Sequence, residues 1–147
     1  MSADDLGAWL IKGNADNADL HGRFAREPRV ERWCVQPSYR LELMSAGQPV
    51  LFWGSGSRRR YAGYGIWGLG ELTGPARRDD DGGWWIPLDL TIVDPAGWVH
   101  RDVLRAHSDL DDLEVLRQPQ AGNPSFVTRR QFEAIRRLLA VGVAGPA

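Results

Sequence analysis

The side chains in this sequence best able to do chemistry are aromatic and cationic. Seven tryptophans stand at positions 9, 33, 53, 67, 84, 85 and 98, more than a core of this size requires. Each offers a flat face for stacking as well as a large apolar body. The positive charge is almost all arginine, Lys12 being the only lysine. That bias reflects either a GC-rich genome or phosphate recognition, since the guanidinium fork matches phosphate oxygens. The net charge is -1, so a polyanion would have to be held by a local patch rather than by bulk attraction.

Other chemistries are not legible. His21, His100 and His107 are scattered, and no Cys/His cluster has zinc spacing. "DDDGG" lacks the liganding pattern of a calcium loop. "GSGS" and "GLGELTG" are not followed by the Gly-Lys-Ser/Thr of a phosphate loop, and no Gly-x-Ser-x-Gly elbow occurs. No metal or cofactor is expected. With one cysteine the chain cannot form an internal disulfide; Cys34 is expected to be a small buried hydrophobe in a cytoplasmic protein. The N-terminus does not read as a signal peptide, and no apolar run approaches a membrane span.

The elements that must position these residues read as one domain over residues 1–147. "GAWLIKG" (7–13) is an opening strand, followed by a short helix with Asn14 or Asp16 as its cap. "RWCVQPSYR" (32–40) is neither a clean helix nor a clean strand, and places Trp33 in a loop. "PSYRLELMSAG" (37–47) reads as a helix with Ser38 as N-cap. Three β-rich runs follow, at 49–55, 61–73 and 83–93, separated by loops. In the first, Leu51, Trp53 and Ser55 share one face, Val50 and Phe52 the other. Gly63, Gly65, Gly68 and Gly70 predict bulges, curling or close backbone approach in the second. Residues 113–127 mix strand and loop. The last helix is the clearest, with Thr128 and Gln131 at capping-box spacing and Val127 placed to pack on Phe132. Its apolar face is Phe132, Ile135, Leu138 and Leu139, and its outer face carries Arg129, Arg130, Arg136 and Arg137.

The ordered set "WLIKGN", "RW-V---YR", "G-PVLFWGSGS", "GLGELTG", "WWIPLDL", "LEVLRQPQ" and "NPSFVT--QFEAI" resembles the EVE domain of the PUA-like superfamily, related to the YTH and ASCH domains. The resemblance runs from about residue 8 to 140. It implies an α+β fold, a PUA-like curled β-barrel with peripheral α-helices and a pocket at one end. EVE domains are thought to read modified bases, chiefly modified cytosine in DNA such as 5-methylcytosine or 5-hydroxymethylcytosine. YTH domains hold N6-methyladenine of RNA in an aromatic cage. The chain departs from the family pattern in three places. Lys12-Gly13-Asn14-Ala15 replaces "KSEP", Trp53-Gly54-Ser55 replaces "YHS", and the segment around Tyr39 has lost its neighbouring amides.

Base reading makes physical demands that these residues can be matched to. Swinging a nucleotide out of its stack costs a few kcal/mol, and stacking on an aromatic face returns roughly 1–3 kcal/mol. Trp33 and Trp53, with Tyr39, are the candidate walls, although Trp53 at strand spacing suits a core equally well. Lys12, Asn14, Ser55 and Asn123 are the candidate polar groups for the base edge; Asn123, before Pro124, suits a turn as well. Arg40, Arg58, Arg59 and Arg60 are the candidate phosphate contacts. The expected role is a non-catalytic, nucleic-acid-binding reader, with DNA favoured over RNA and an effector protein as a further partner. Two other readings stand beside it: an ASCH-like amidohydrolase on Lys12, Glu71 and Thr73, and a protein-interaction module docking through the arginines of the last helix.

Overall fold

The computed structural model describes residues 3–14, 20–55, 64–118 and 122–144. In chain order the strands are β1 (Leu6–Asn14), β2 (Arg29–Val35), β3 (Pro49–Ser55), β4 (Gly65–Leu72), β5 (Arg77–Arg78), β6 (Trp84–Ile92), β7 (Val99–His100) and β8 (Ser125–Thr128). The α-helices are α1 (Leu20–Arg26), α2 (Arg101–Ala106), α3 (Glu114–Arg117) and α4 (Arg129–Ala144). The predicted helix at 37–47 is a 3-10 turn, Tyr39–Leu43, whose start Ser38 does cap by accepting from the Arg40 N–H. Among the described residues no helix is long and apolar enough to cross a membrane.

The burial pattern of each strand explains its neighbours. Along β1, Trp9 and Ile11 on one face and Ala8 and Leu10 on the other are all fully buried, so both faces must be covered. β3 has the same character, with Val50 and Phe52 facing one way and Leu51 and Trp53 the other, as the sequence predicts. These two strands pair in parallel at the centre of a sheet ordered β2-β6-β4-β3-β1-β8; the other pairings are antiparallel, with β5 added on β6 and β7 on β4. β6 instead alternates over its second half: Leu88, Leu90 and Ile92 are buried while Asp89 and Thr91 are exposed, so its outer face there meets water.

The sheet curls around one core. Val30 of β2 and Phe126 of β8, at opposite ends of the strand order, join the same cluster as Trp9, Phe52, Trp67 and Leu90. The two ends are tied by a single backbone hydrogen bond at this point, Gln36 N–H to the Asn123 carbonyl at 3.0 Å. A second core fills the space between the outer face of β1, β3 and β4 and the helices, through Leu104, Leu110, Ile135 and Leu139. The capping box forms as its spacing predicts: Thr128 N–H donates to Gln131 Oε1 at 2.9 Å, and Gln131 N–H to Thr128 Oγ1 at 3.2 Å.

The glycines of β4 let the strands approach closely; Gly63 lies outside the described residues. A β-carbon at Gly70 would collide with the backbone of Asp89 and Leu90 on the paired strand. Gly70→Ala is therefore expected to destabilise the chain at or beyond the top of the roughly 1–3 kcal/mol overpacking range. A lowered urea midpoint at unchanged slope would show it.

Candidate functional site

The parallel pairing of β1 with β3 aligns Lys12 with Trp53, Gly13 with Gly54 and Asn14 with Ser55. Residues drawn from two segments thus end side by side where these two interior strands finish. Alternation then divides them between two faces. Gly13 faces inward: a β-carbon there would lie 2.7 Å from Phe52, 2.8 Å from Leu20 and 3.0 Å from Trp33. The bare glycine is what lets the Trp33 ring sit against this strand. Trp53, adjacent to the inward Phe52, belongs to the outer core and is only 3% exposed.

Trp33 lies on β2, not in a loop. Its ring meets Phe52 edge-on, with centroids 5.0 Å apart at 87°, and its Nε1–H donates to the Lys12 carbonyl at 3.1 Å. The ring borders a cavity of about 350 Å3 lined also by Arg23, Arg32, Cys34 and Asn123. The Arg23 guanidinium stands 5.7 Å from the indole centroid. Asn123 does more than make a turn. Its Oδ1 accepts from the Lys12 N–H at 2.7 Å and its Nδ2 donates to the Lys12 carbonyl at 3.2 Å, so its amide holds the strand end that also anchors Trp33. Cys34, expected to be buried, is exposed.

On the outer face a second cavity, of about 250 Å3, is lined by Asn14, Trp53, Ser55, Tyr64, Arg101 and Arg105 among others. Trp33 and Trp53 therefore do not wall one pocket: consecutive strand residues point to opposite faces, and Phe52 is the one that reaches Trp33. Tyr39, the third expected wall, is 62% exposed on the 3-10 turn and lines neither cavity.

Arg40 was expected at a phosphate, but its donors are engaged within the fold. It grips Glu114 through both terminal nitrogens, at 2.6 and 2.9 Å, and donates to the Pro124 carbonyl at 3.0 Å. Burial by itself would push the Glu114 carboxyl up; the Arg40 fork and the Phe126 N–H more than offset this and hold it below the usual carboxylate range. Burial lowers the Lys12 ammonium from its ordinary value, against the raising influence of Glu114. Arg58, Arg59 and Arg60 lie outside the described residues.

The residues of the other two readings are not assembled. Lys12 is level with Trp53 on β3, whereas Glu71 is level with Pro49, about 13 Å away along the strand at roughly 3.3 Å per residue. Of the α4 arginines, Arg136 and Arg137 pair with Glu133 on the same helix and Arg130 with Asp109 of the 3-10 turn Ser108–Leu110, all three arginine side chains being exposed. Among the described residues no cluster of His, Cys, Asp or Glu could hold a metal ion.

Sequence reasoning missed Arg23, Arg32, Arg101, Arg105 and Glu114. A signal existed for Arg101 and Arg105, whose spacing puts them on one helical face, but the six-residue helix carrying them is too short to stand out.

No known family pattern and no curated protein matches the chain. Solved structures do. A hypothetical protein from Leishmania major superposes with TM-score 0.67 at 18% identity, covering 95% of this chain and 98% of the other. The DUF55 domain of human thymocyte nuclear protein 1 gives TM-score 0.62 at 16% identity, covering 91% and 99%. Human THYN1 in complex with 5-methylcytosine-containing DNA gives 0.57 at 16%, covering 95% and 99%. At these identities the likeness shows the fold alone: a mixed α+β architecture shared with the DUF55 domain, with one large curled sheet and a few helices.

Proposed function

We propose that this chain is a nucleic-acid-binding reader that holds a modified base, swung out of its stack, against Trp33. The observation that carries the reading is the state of that side chain. The ring is packed perpendicular to Phe52 and its N–H is fixed on the Lys12 carbonyl, while the ring borders an open cavity. A flat aromatic surface held in place before ligand arrives loses little freedom on binding. Arg23 and Arg32 flank it, Arg32 in an exposed ion pair with Asp79, and among the described residues no carboxylate lines the cavity itself.

One stacking wall returns roughly 1–3 kcal/mol against a flipping cost of a few kcal/mol. Binding should therefore be strongest where the base is already weakly stacked, and phosphate contacts must supply the remainder. The human neighbour's 5-methylcytosine-containing DNA supports modified cytosine in DNA as the ligand class. The role is non-catalytic, with no cofactor.

Flipping itself is tested with 2-aminopurine placed beside the modified cytosine in a duplex. Addition of the protein should raise its fluorescence as the stack opens. Tight binding with unchanged fluorescence would contradict base extrusion.

A further inference from the structure

The outer cavity beneath α2 has the makings of an anion site. Arg101 and Arg105 are one helical turn apart and both line it, together with Asn14 and Ser55 from the ends of β1 and β3. Among the described residues no acidic one lines this cavity and neither arginine has a carboxylate partner. That contrasts with Arg40, Arg130 and Arg136, each of which grips an acid.

Arg101 carries a second mark. Its Nε is buried and has no hydrogen-bond partner among the described residues, and its guanidinium lies 4.3 Å from the centroid of the Tyr64 ring. The ring holds the plane of the fork without satisfying the buried donor. A charged donor left without an acceptor is unfavourable, and two like charges at this helical spacing repel. One oxyanion in the cavity would offset that repulsion and give the Arg101 fork the acceptor it lacks.

We infer that Arg101 and Arg105, with Asn14 and Ser55, form a phosphate-binding site on the outer face of the sheet, opposite the Trp33 cavity. The fork geometry of arginine suits a tetrahedral oxyanion. That the phosphate belongs to a nucleic-acid backbone rests on the reading above; that the site binds phosphate does not. On that reading the β1 and β3 ends are straddled, with the base on one face and a neighbouring phosphate on the other.

The test uses the whole 15N-labelled chain and the Nε–H resonance of Arg101, identified by its loss in Arg101→Lys. Inorganic phosphate, an oligonucleotide duplex and sodium chloride at matched ionic strength are titrated in turn. The expected result is a saturable shift with phosphate and with duplex but not with chloride, weakened several-fold in Arg105→Gln, whose exposed side chain leaves the fold intact. Arg105→Gln should also make the salt dependence of duplex binding shallower by about 0.9 in log–log slope, one phosphate's share. A shift with phosphate but not with duplex would support the site and overturn its assignment to a nucleic-acid backbone. Duplex binding that depends on Trp33 while the Arg101 signal stays still with both phosphate and duplex would overturn the site and leave the base-reading proposal standing. An equal response to chloride would overturn it as well.

Discussion

Trp33→Ala is expected to weaken binding of the preferred modified duplex by roughly 5- to 150-fold, the equivalent of about 1–3 kcal/mol for one base–aromatic stack. Binding to unmodified duplex should change far less, because phosphate contacts dominate there. Trp33→Phe separates two contributions: it keeps a stacking face but gives up the N–H donated to the Lys12 carbonyl. It should retain part of the selectivity while loosening the wall. Trp33→Ala also loses the aromatic pair with Phe52, worth about 0.5–1.5 kcal/mol beyond its buried area, and Trp33→Phe part of it. Binding is therefore compared at a temperature where thermal melts show every variant folded. Equal affinity of wild type and Trp33→Ala for the modified duplex would remove the stacking wall from the account.

The second large effect concerns stability. Arg40 and Glu114 are largely buried, their side chains 20% and 16% exposed. Arg40→Ala leaves the Glu114 carboxylate without its partner, and should cost about 3 kcal/mol, the low end for breaking a buried pair, since some solvent reaches this one. Replacing both, as Arg40→Met with Glu114→Leu, should recover most of that loss because neither charge is left stranded. The pair also reaches the site. Arg40 donates to the Pro124 carbonyl, next to the Asn123 that clamps Lys12 and, through its carbonyl, Trp33. Acid should reveal the same interaction. With the folded Glu114 carboxyl held below its unfolded value of 4.5, the unfolded chain binds the proton more readily. The stabilisation is thus complete above pH 4.5 and is lost as pH falls through the lower, folded value. Urea midpoints should drop more steeply below pH 4.5 in the wild type than in Glu114→Gln.

What the sequence discloses and what it hides divide along the range of the forces involved. The strands at 49–55 and 83–93, the face assignment of Val50, Leu51, Phe52 and Trp53, and the capping box of Thr128 and Gln131 are local patterns, and the structure contains them. β2 is hidden because "RVERWCV" alternates poorly; it is a strand because β6, more than fifty residues later, pairs with it. The grip of Arg40 on Glu114 spans 74 residues, so nothing near Tyr39 discloses that Arg40 is already committed. Trp33 emerges as a cavity-lining residue from the order of motifs, while its separation from Trp53 depends on which face of β3 the curled sheet encloses. That is decided by the β2 and β8 ends of the sheet meeting around Phe52, a tertiary fact with no local signature.

Selective binding through Trp33 is the central expectation. The decisive measurement is fluorescence anisotropy of labelled duplexes at one fixed salt concentration, carrying cytosine, 5-methylcytosine, 5-hydroxymethylcytosine or N6-methyladenine at a single position, with Trp33→Ala as control. The account predicts that a modified-cytosine duplex binds more tightly than the others, and that Trp33→Ala erases the difference. Equal, weak binding across the panel, untouched by Trp33→Ala, would contradict it.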